Sequence, residues 1–473
     1  MVMPLGEVAA AALAASRAAH CAVVADDTEA AWLRWADQDV TGNGSRITRA
    51  VTVISTLRRA EGTGVGTVSR TVRDAEGVVA AVRASEAAAE QAPSRGPRSP
   101  RPLGAGGARR PVAGAAAVPD GCQDEIASVA PRIAAWRERA PGPLSGFGQR
   151  NTVRALLATS EGLWREHVQR TATMEVSARA ADGSAPLWAG AAAARLDAVD
   201  LAALERATSE PHRRPLPRRT LPAGRYEVIL SPSAVADLMI VLYRAAGAAD
   251  AAEGRTVFGR PGGGTRLGTR LAALPLTLRG APGEPGLECC PFVLSRGAVS
   301  DVFGDAVQAG AAHEDNGLAL ESVEWISRGM LASLLAGRAD AAGLGLPVRP
   351  AIGNLILEGG DGAAAPSGQE MVRATRRGLL VNCLWYMRPT DSGTLSLTGV
   401  TRDGVFLVED GRVTARVNDF RFAESPVSLL DRATEVGRTE RTLAREFGAH
   451  FPRTAMPHLR IPDFLLTAAS ADA

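Results

Sequence analysis

Asn151-Thr-Val-Arg-Ala-Leu-Leu-Ala-Thr159, the turn Ser160-Glu161-Gly162, and the return run Leu163 to Ala178 decide the fold class. Val153–Thr159 leads into the Gly-containing turn, and the return run alternates in character, which predicts a long antiparallel strand pair. Upstream, Val51, Val53 and Ile54 form a second apolar run; Glu61-Gly62-Thr63-Gly64 turns the chain and Val65–Val72 returns, a second hairpin over 48–73. Residues 74–91, with Val78, Val79 and Val82, resume helical spacing, and 6–38 reads as an Ala-rich helix followed by the start of another element. Helical, Ala-rich sequence is expected over 186–208.

Ser94–Pro119 is different in kind. It combines Pro, Gly and Ala with arginines 95, 98, 101, 109 and 110, and has no acid before Asp120. Such a segment lacks the apolar content to offset the entropy of ordering, so 94–119 is expected to be a disordered loop, with an anion-binding arm as the functional alternative. A second Arg/Pro-rich stretch, Pro211–Pro222, marks the domain boundary and gives units 1–220 and 221–473. Beyond it, Arg225–Leu230 reads as a strand. Ser231-Pro232 then caps a helix whose Val235, Leu238, Met239 and Leu242 fall at i, i+3, i+4 and i+7. Leu274–Leu278, Leu395–Leu397, Val405–Val408 and Val413–Val417 read as short strands, with Glu409-Asp410-Gly411 as a tight turn and at least one helix within 317–345. The class is α+β: an N-terminal α/β domain with an antiparallel sheet, then a strand-rich C-terminal half.

The 473 residues suffice for two or three domains, and 46% hydrophobic with 22% charged residues is an ordinary soluble balance. All 53 basic residues are Arg. Chemistry that needs a lysine amine is therefore excluded, including P-loop phosphate gripping, Ser-x-x-Lys acylation and Schiff bases. Together with abundant Ala and Gly, this is the composition of a GC-rich bacterial genome. A net charge of +2 does not point to nucleic acid. Five cysteines without Cys-x-x-Cys argue against a disulfide framework and for a reducing cytoplasm. Arg17 and His20 interrupt the apolar run near 8–24, so neither a signal peptide nor a membrane span of ~18 apolar residues is expected.

No Gly-x-Ser-x-Gly and no His-Glu-x-x-His occurs. The single His-Glu pair, His313-Glu314, continues Asp-Asn-Gly-Leu, and Leu318 cannot ligate a metal; it reads as a polar loop or as the start of an unusual site with Asp315. Gly262-Gly263-Gly264-Thr265-Arg266 could cradle an anion with backbone N–H groups and the Arg266 charge, or could simply be a flexible turn. Cys289-Cys290 reads as buried structural thiols or a redox pair, and Cys383 lies in an apolar run typical of a buried strand.

Several of these segments, in this order, resemble the TldD/TldE (PmbA) metallopeptidase family. They are the 48–73 hairpin, the Thr159–Leu163 turn, Leu230-Ser-Pro-Ser-Ala-Val-Ala-Asp-Leu238, Arg260-Pro-Gly-Gly-Gly-Thr-Arg-Leu-Gly268, and Leu274-Pro-Leu-Thr-Leu278. The loop His313-Glu-Asp-Asn-Gly317 falls at the family's acidic turn, and Leu397–Val405 with Val408–Arg412 at its C-terminal hairpin. The resemblance implies a curved, barrel-like C-terminal sheet. It also implies a heterodimer in which a TldD-type subunit carries zinc on His-Glu-x-x-x-His plus a downstream Cys. Lacking that motif, this chain resembles the TldE/PmbA type. The implied function is a non-catalytic partner in a cytoplasmic peptidase acting on unfolded peptides, with no catalytic or metal-ligating residue of its own and zinc in the partner. The candidate peptide-cleft residues are Gly262, Gly263, Gly264, Thr265, Arg266, His313, Glu314 and Asp315. A non-proteolytic binding or assembly protein and a stand-alone hydrolase using His313, Glu314 and Asp315 are the alternatives.

Overall fold

A computed structural model describes residues 3–37, 39–60, 62–93, 103, 121–213, 216–296, 313–359 and 362–469. The expected disordered loop, 94–119, lies outside these residues except for Leu103. The first half is built on one antiparallel sheet of β1 (His20–Ala36), β2 (Asp39–Arg59), β3 (Gly62–Thr71), β4 (Leu144–Thr159), β5 (Trp164–Ala178) and β6 (Leu187–Ala193), in the order β3-β2-β1-β4-β5-β6. Both expected hairpins are present. The helix expected over 6–38 is confined to α1 (Leu5–Ala15), and β1 is the element that follows it. The expectation over 186–208 is corrected: Leu187–Ala193 is the edge strand, and only α4 (Leu201–Thr208) is helical. Pairing with β5 overrides the helical preference of the Ala run.

Alternation along these strands gives the sheet two faces. One carries Cys21, Val23 and Ala25 against α1 and α2 (Ala75–Gln91), and Leu33, Trp35, Met174 and Val176 against α3 (Cys122–Arg139). Burying such side chains stabilises the sheet by roughly 1.5–3 kcal/mol for each large one. The other face turns towards the second half of the chain.

That half begins with β7 (Arg218–Arg219), β8 (Gly224–Leu230) and α5 (Pro232–Arg244). The Ser231 side chain accepts from Ala234 N and Pro232 sits in the first turn, as the sequence predicts. A six-stranded sheet then draws on β9 (Thr277–Gly280), β10 (Val323–Ser327), β11 (Met330–Leu331), β12 (Leu355–Glu358) and, from later in the chain, β18 (Glu440–Thr442) and β19 (Thr454–Met456), with a helix at Arg338–Leu344. The remaining strands are β13 (Arg377–Asp391), β14 (Ser396–Glu409), β15 (Arg412–Val417), β16 (Phe420–Glu424), β17 (Glu435–Val436) and β20 (Leu459–Ala469). Leu395–Leu397 and Val405–Val408, read separately in the sequence, belong to the single strand β14, apart from Leu395 just before it. Asp410 and Gly411 both take positive φ at the β14–β15 turn, as a type I′ hairpin requires.

β13, β8, β20, β16 and β14 pair in that order, and β14 pairs back to β13, closing a five-stranded barrel. Phe420, Phe422 and Phe464 are fully buried in the core around it. α5 packs against β13 and β19 and is buried on nearly all sides, beyond the single apolar stripe of its spacing. Asp237 is its fully buried carboxylate: Oδ1 accepts from Glu446 N at 3.1 Å and Phe447 N at 3.0 Å, and Oδ2 from Arg445 N at 3.0 Å. Burial pushes this carboxyl up, and the three N–H donors oppose the push.

Asp237→Ala would strand three buried N–H groups, each costing about 1–3 kcal/mol. A loss of roughly 3 kcal/mol or more is expected in urea unfolding, whereas a loss under about 1 kcal/mol would show that the clamp is not structural. Two half-buried histidines contribute to the acid limb of stability. Burial takes His458 down to about 4, and burial with the Arg416 charge takes His212 down to about 4, from 6.5. Both bind protons more readily unfolded, so their contribution is complete above about 6.5 and is lost as pH falls towards 4. Urea titrations across that window should show a falling midpoint, and His458→Gln should flatten the fall.

Candidate functional site

The second face of the first sheet follows from register. Val24, Asp26 and Thr28 of β1 lie beside Leu157, Ala155 and Val153 of β4, which lie beside Arg165, His167 and Gln169 of β5. Two segments of the second half cross this face. The segment 289–296 lays Phe292 among Val24, Leu157 and Leu163, and Arg296 forms a bidentate pair with Asp26, both contacts 2.8 Å. The segment 313–318 is tied to it: Asn316 Oδ1 accepts from Ser295 N at 2.6 Å, and Gly317 N donates to Val293 O at 2.8 Å. Gly317 has φ 86°, and a Cβ there would lie 2.2 Å from Leu163 Cδ2, so only glycine permits this approach.

Beside these segments a hollow of about 250 Å³ remains, lined by Val153, Ala155, His167, Gln169, Cys290 and Arg453 among others. A second hollow of about 180 Å³ shares His167, Gln169 and Arg453 and continues along β5 to Gly286. Arg453 ties the walls together: Nε donates to Glu288 O at 2.9 Å and Nη2 to Thr171 Oγ1. Burial, reinforced by the Arg453 charge, holds His167 below its ordinary value, and its ring contacts Gln169 Oε1 at 3.1 Å. Burial pushes Cys290 up to about 11 and Cys289 upward as well. At neutral pH the cleft therefore offers a neutral imidazole, neutral thiols, an amide and a guanidinium. Among the described residues the His167 ring meets Gln169 and forms no hydrogen bond with either thiol, and burial disfavours a thiolate at both cysteines.

Further along the same face, Arg445 joins the halves. Its Nε donates to Asp403 at 3.0 Å, its Nη1 lies 3.6 Å from Glu175, and its guanidinium stacks over Trp188 at 5.0 Å and Trp385 at 4.4 Å. Cys383 is fully buried nearby, its thiol pushed well up by burial and then by Asp403. This donor set does not suit zinc. The Asp237 oxygens are taken by N–H groups, the thiol is held protonated, and Arg445 already supplies the cation. Among the described residues no group of three or more His, Cys, Asp or Glu side chains is placed to hold a metal ion.

The sequence candidates separate. Asp315 is fully buried, accepting from Arg338 Nε at 2.8 Å and Arg338 N at 3.1 Å. Glu314 lines a small hollow with His20, Cys21 and Thr159 on the sheet face. The His313 side chain lies outside the described residues. Gly262, Gly263 and Gly264 all take positive φ in an exposed turn whose N–H groups are used internally, Gly263 N to Arg260 O and Gly264 N to Ala252 O, both 3.1 Å. Thr265 forms a bridge with Gly259, and Arg266 Nη1 donates to Val257 O at 2.9 Å. Arg266 borders a different hollow with Arg270, Thr390 and Ser425. Sequence reasoning missed His167, Gln169, Arg445 and Arg453. The signal was present in β5, where Arg165, His167, Gln169, Thr171, Thr173 and Glu175 place a polar residue at every second position.

Residues 223–468 match the family described as PmbA/TldA metallopeptidase C-terminal domain. Three solved structures share the fold over nearly the whole chain. TldE from Thermococcus kodakarensis has TM-score 0.74 and 15% identity, covering 97% of this chain and 99% of its own. A protein described as a candidate modulator of a DNA gyrase, from Thermotoga maritima MSB8, has TM-score 0.70 and 15% identity, covering 95% and 96%. One of like description from Bacteroides thetaiotaomicron VPI-5482 has TM-score 0.71 and 13% identity, covering 98% of each chain. No curated protein matches the sequence.

The neutral state of the thiols is directly measurable. A shift from 9.0 to about 11 lowers the thiolate fraction of Cys290 about 100-fold. Alkylation of the native protein by iodoacetamide near pH 7.5 should be slower than that of free cysteine by at least this factor. A rate equal to or above the free thiol would show an activated nucleophile.

Proposed function

The chain belongs to the PmbA/TldA metallopeptidase family, and we propose that it serves as a non-catalytic subunit partnering a TldD-type, zinc-bearing subunit in a heterodimer that processes or degrades unfolded peptides. One observation carries this reading: burial holds the His167 imidazole low and pushes the Cys289 and Cys290 thiols up, Arg296 is paired with Asp26, and Arg453 is held by Glu288 O and Thr171, an arrangement suited to holding a chain rather than cutting it. The sequence supports it, since its single His-Glu pair has no His four residues after the Glu. An extended peptide would lie along β5, with Gln169 and Arg453 meeting its main chain and Phe292 its apolar side chains. The Glu314–Asp315 turn would brace the end of that wall. The Gly262–Arg266 turn, beside its own hollow, would contact a longer peptide beyond it. Zinc belongs to the partner in this reading, and the complex works in the cytoplasm. Among the described residues no helix is long and apolar enough to cross a membrane.

Reconstitution tests the proposal. The purified chain should cleave no peptide, a TldD-type subunit should gain activity on mixing, and elemental analysis of this chain alone should find zinc well below one per chain. Equal cleavage by this chain alone, or one tightly held zinc after dialysis, would contradict it. Within the active mixture, Gln169→Trp should raise KM about tenfold with little change in kcat, because it fills a binding wall and touches no reacting group.

A further inference from the structure

We propose that the barrel rim at the β14–β15 hairpin docks an acidic, extended segment of another protein. The chain as a whole carries only +2, yet a shallow hollow at this rim is lined by Arg376, Arg377 and Arg412, with Glu409, Asp410 and Thr414. Arg219 reaches the same place from β7, its Nη1 3.3 Å from Glu409 Oε2. Four guanidiniums thus meet two carboxylates. Glu409 is shared between Arg219 and Arg377, the latter at 3.9 Å, and also accepts from Thr414 Oγ1 at 2.9 Å. Arg376 and Arg412 are exposed and make no side-chain hydrogen bond or ion pair among the described residues. Concentrating unpaired cations of one sign costs self-repulsion, which an anionic partner relieves.

A second feature of the same rim specifies a polypeptide. β15 pairs with β14 along its length, but β7 covers only Arg416 and Val417. Pro217, just before β7, also accepts from Arg416 N at 2.9 Å, so among the described residues it is at 412–414 that no strand pairs with this edge of β15 and main-chain groups can accept another strand. A segment added there would set alternate side chains over the hollow, where aspartate or glutamate can form the bidentate pairs that guanidinium favours. A nucleic acid fits less well. The Glu409 and Asp410 carboxylates interrupt any path for a phosphodiester backbone, and no aromatic side chain lines the hollow to stack a base.

The probe is a fluorescein-labelled peptide, Glu-Val-Glu-Val-Glu-Val-Glu, measured by anisotropy with the full chain. Its binding should weaken as salt rises, and the Lys-for-Glu counterpart should not bind. Arg376→Glu with Arg412→Glu should weaken binding at least about tenfold while leaving the thermal midpoint unchanged. If that double variant melts early, Arg412→Ser alone should still give a loss of a few fold. A probe N-methylated at alternate residues should also bind at least about tenfold more weakly. Undiminished binding by the variants or by the methylated probe would overturn the proposal. So would displacement of the probe by a DNA duplex of about 20 base pairs at lower concentration than by unlabelled Glu peptide.

Discussion

Arg445 carries the contact between the first sheet and the barrel, and Asp237 sets where Arg445 sits. The carboxylate of a buried helix takes the N–H groups of 445, 446 and 447, fixing the turn that carries the guanidinium. From there one side chain reaches Asp403 of the barrel and Glu175 and Trp188 of the first sheet. A buried carboxylate left unpaired would be costly, and so would three orphaned N–H groups; each cost is removed only by the other partner. This mutual satisfaction holds one of the contacts between the two halves, beside the Arg296–Asp26 pair and Phe292 on the sheet face. Arg453, tying Thr171 to Glu288, performs the same task at the other end of β5.

The cleft is a consequence of these contacts. Two crossing segments fill part of the sheet face with Phe292 and Arg296 and leave a hollow beside His167 and Gln169, with Phe292 edge-on to the His167 ring. Desolvation then decides its chemistry. Thiols are pushed up and the imidazole down, so burial disfavours the thiolate and the imidazolium there. The same reasoning applies around Cys383, where a cationic side chain occupies the space among carboxylates. The chain belongs to a family whose C-terminal domain is described as that of a metallopeptidase, and here arginines pair with the carboxylates that line the contact between its halves.

Local signals in the sequence reported local structure well. The Ser231-Pro232 cap, the Asp410-Gly411 turn and the 151–178 hairpin were legible because each depends on residues a few positions apart. The Ala-rich stretch 187–193 misled because Ala has no strong preference that tertiary pairing cannot override, and β5 offered an edge. β14 read as two strands because Gly399 and Asp403-Gly404 punctuate it, yet pairing with β13 continues on either side. The site was less legible than the fold. Its groups come from β5, the 286–296 segment and Arg453, and no spacing in one chain announces that these meet. Glycine motifs drew attention to 262–266, where three positive-φ residues serve a turn whose N–H groups are internally satisfied.

The central claim is that the β5 face, with the segment crossing it, holds peptide in the assembled enzyme. Hydrogen exchange of this chain within the heterodimer, with and without a non-cleavable extended peptide, measures it most directly. The account expects added protection at His167–Thr171 and across 286–294, with little change at the Gly262–Arg266 turn. Protection confined to other surfaces, with β5 and 286–294 unchanged, would contradict it.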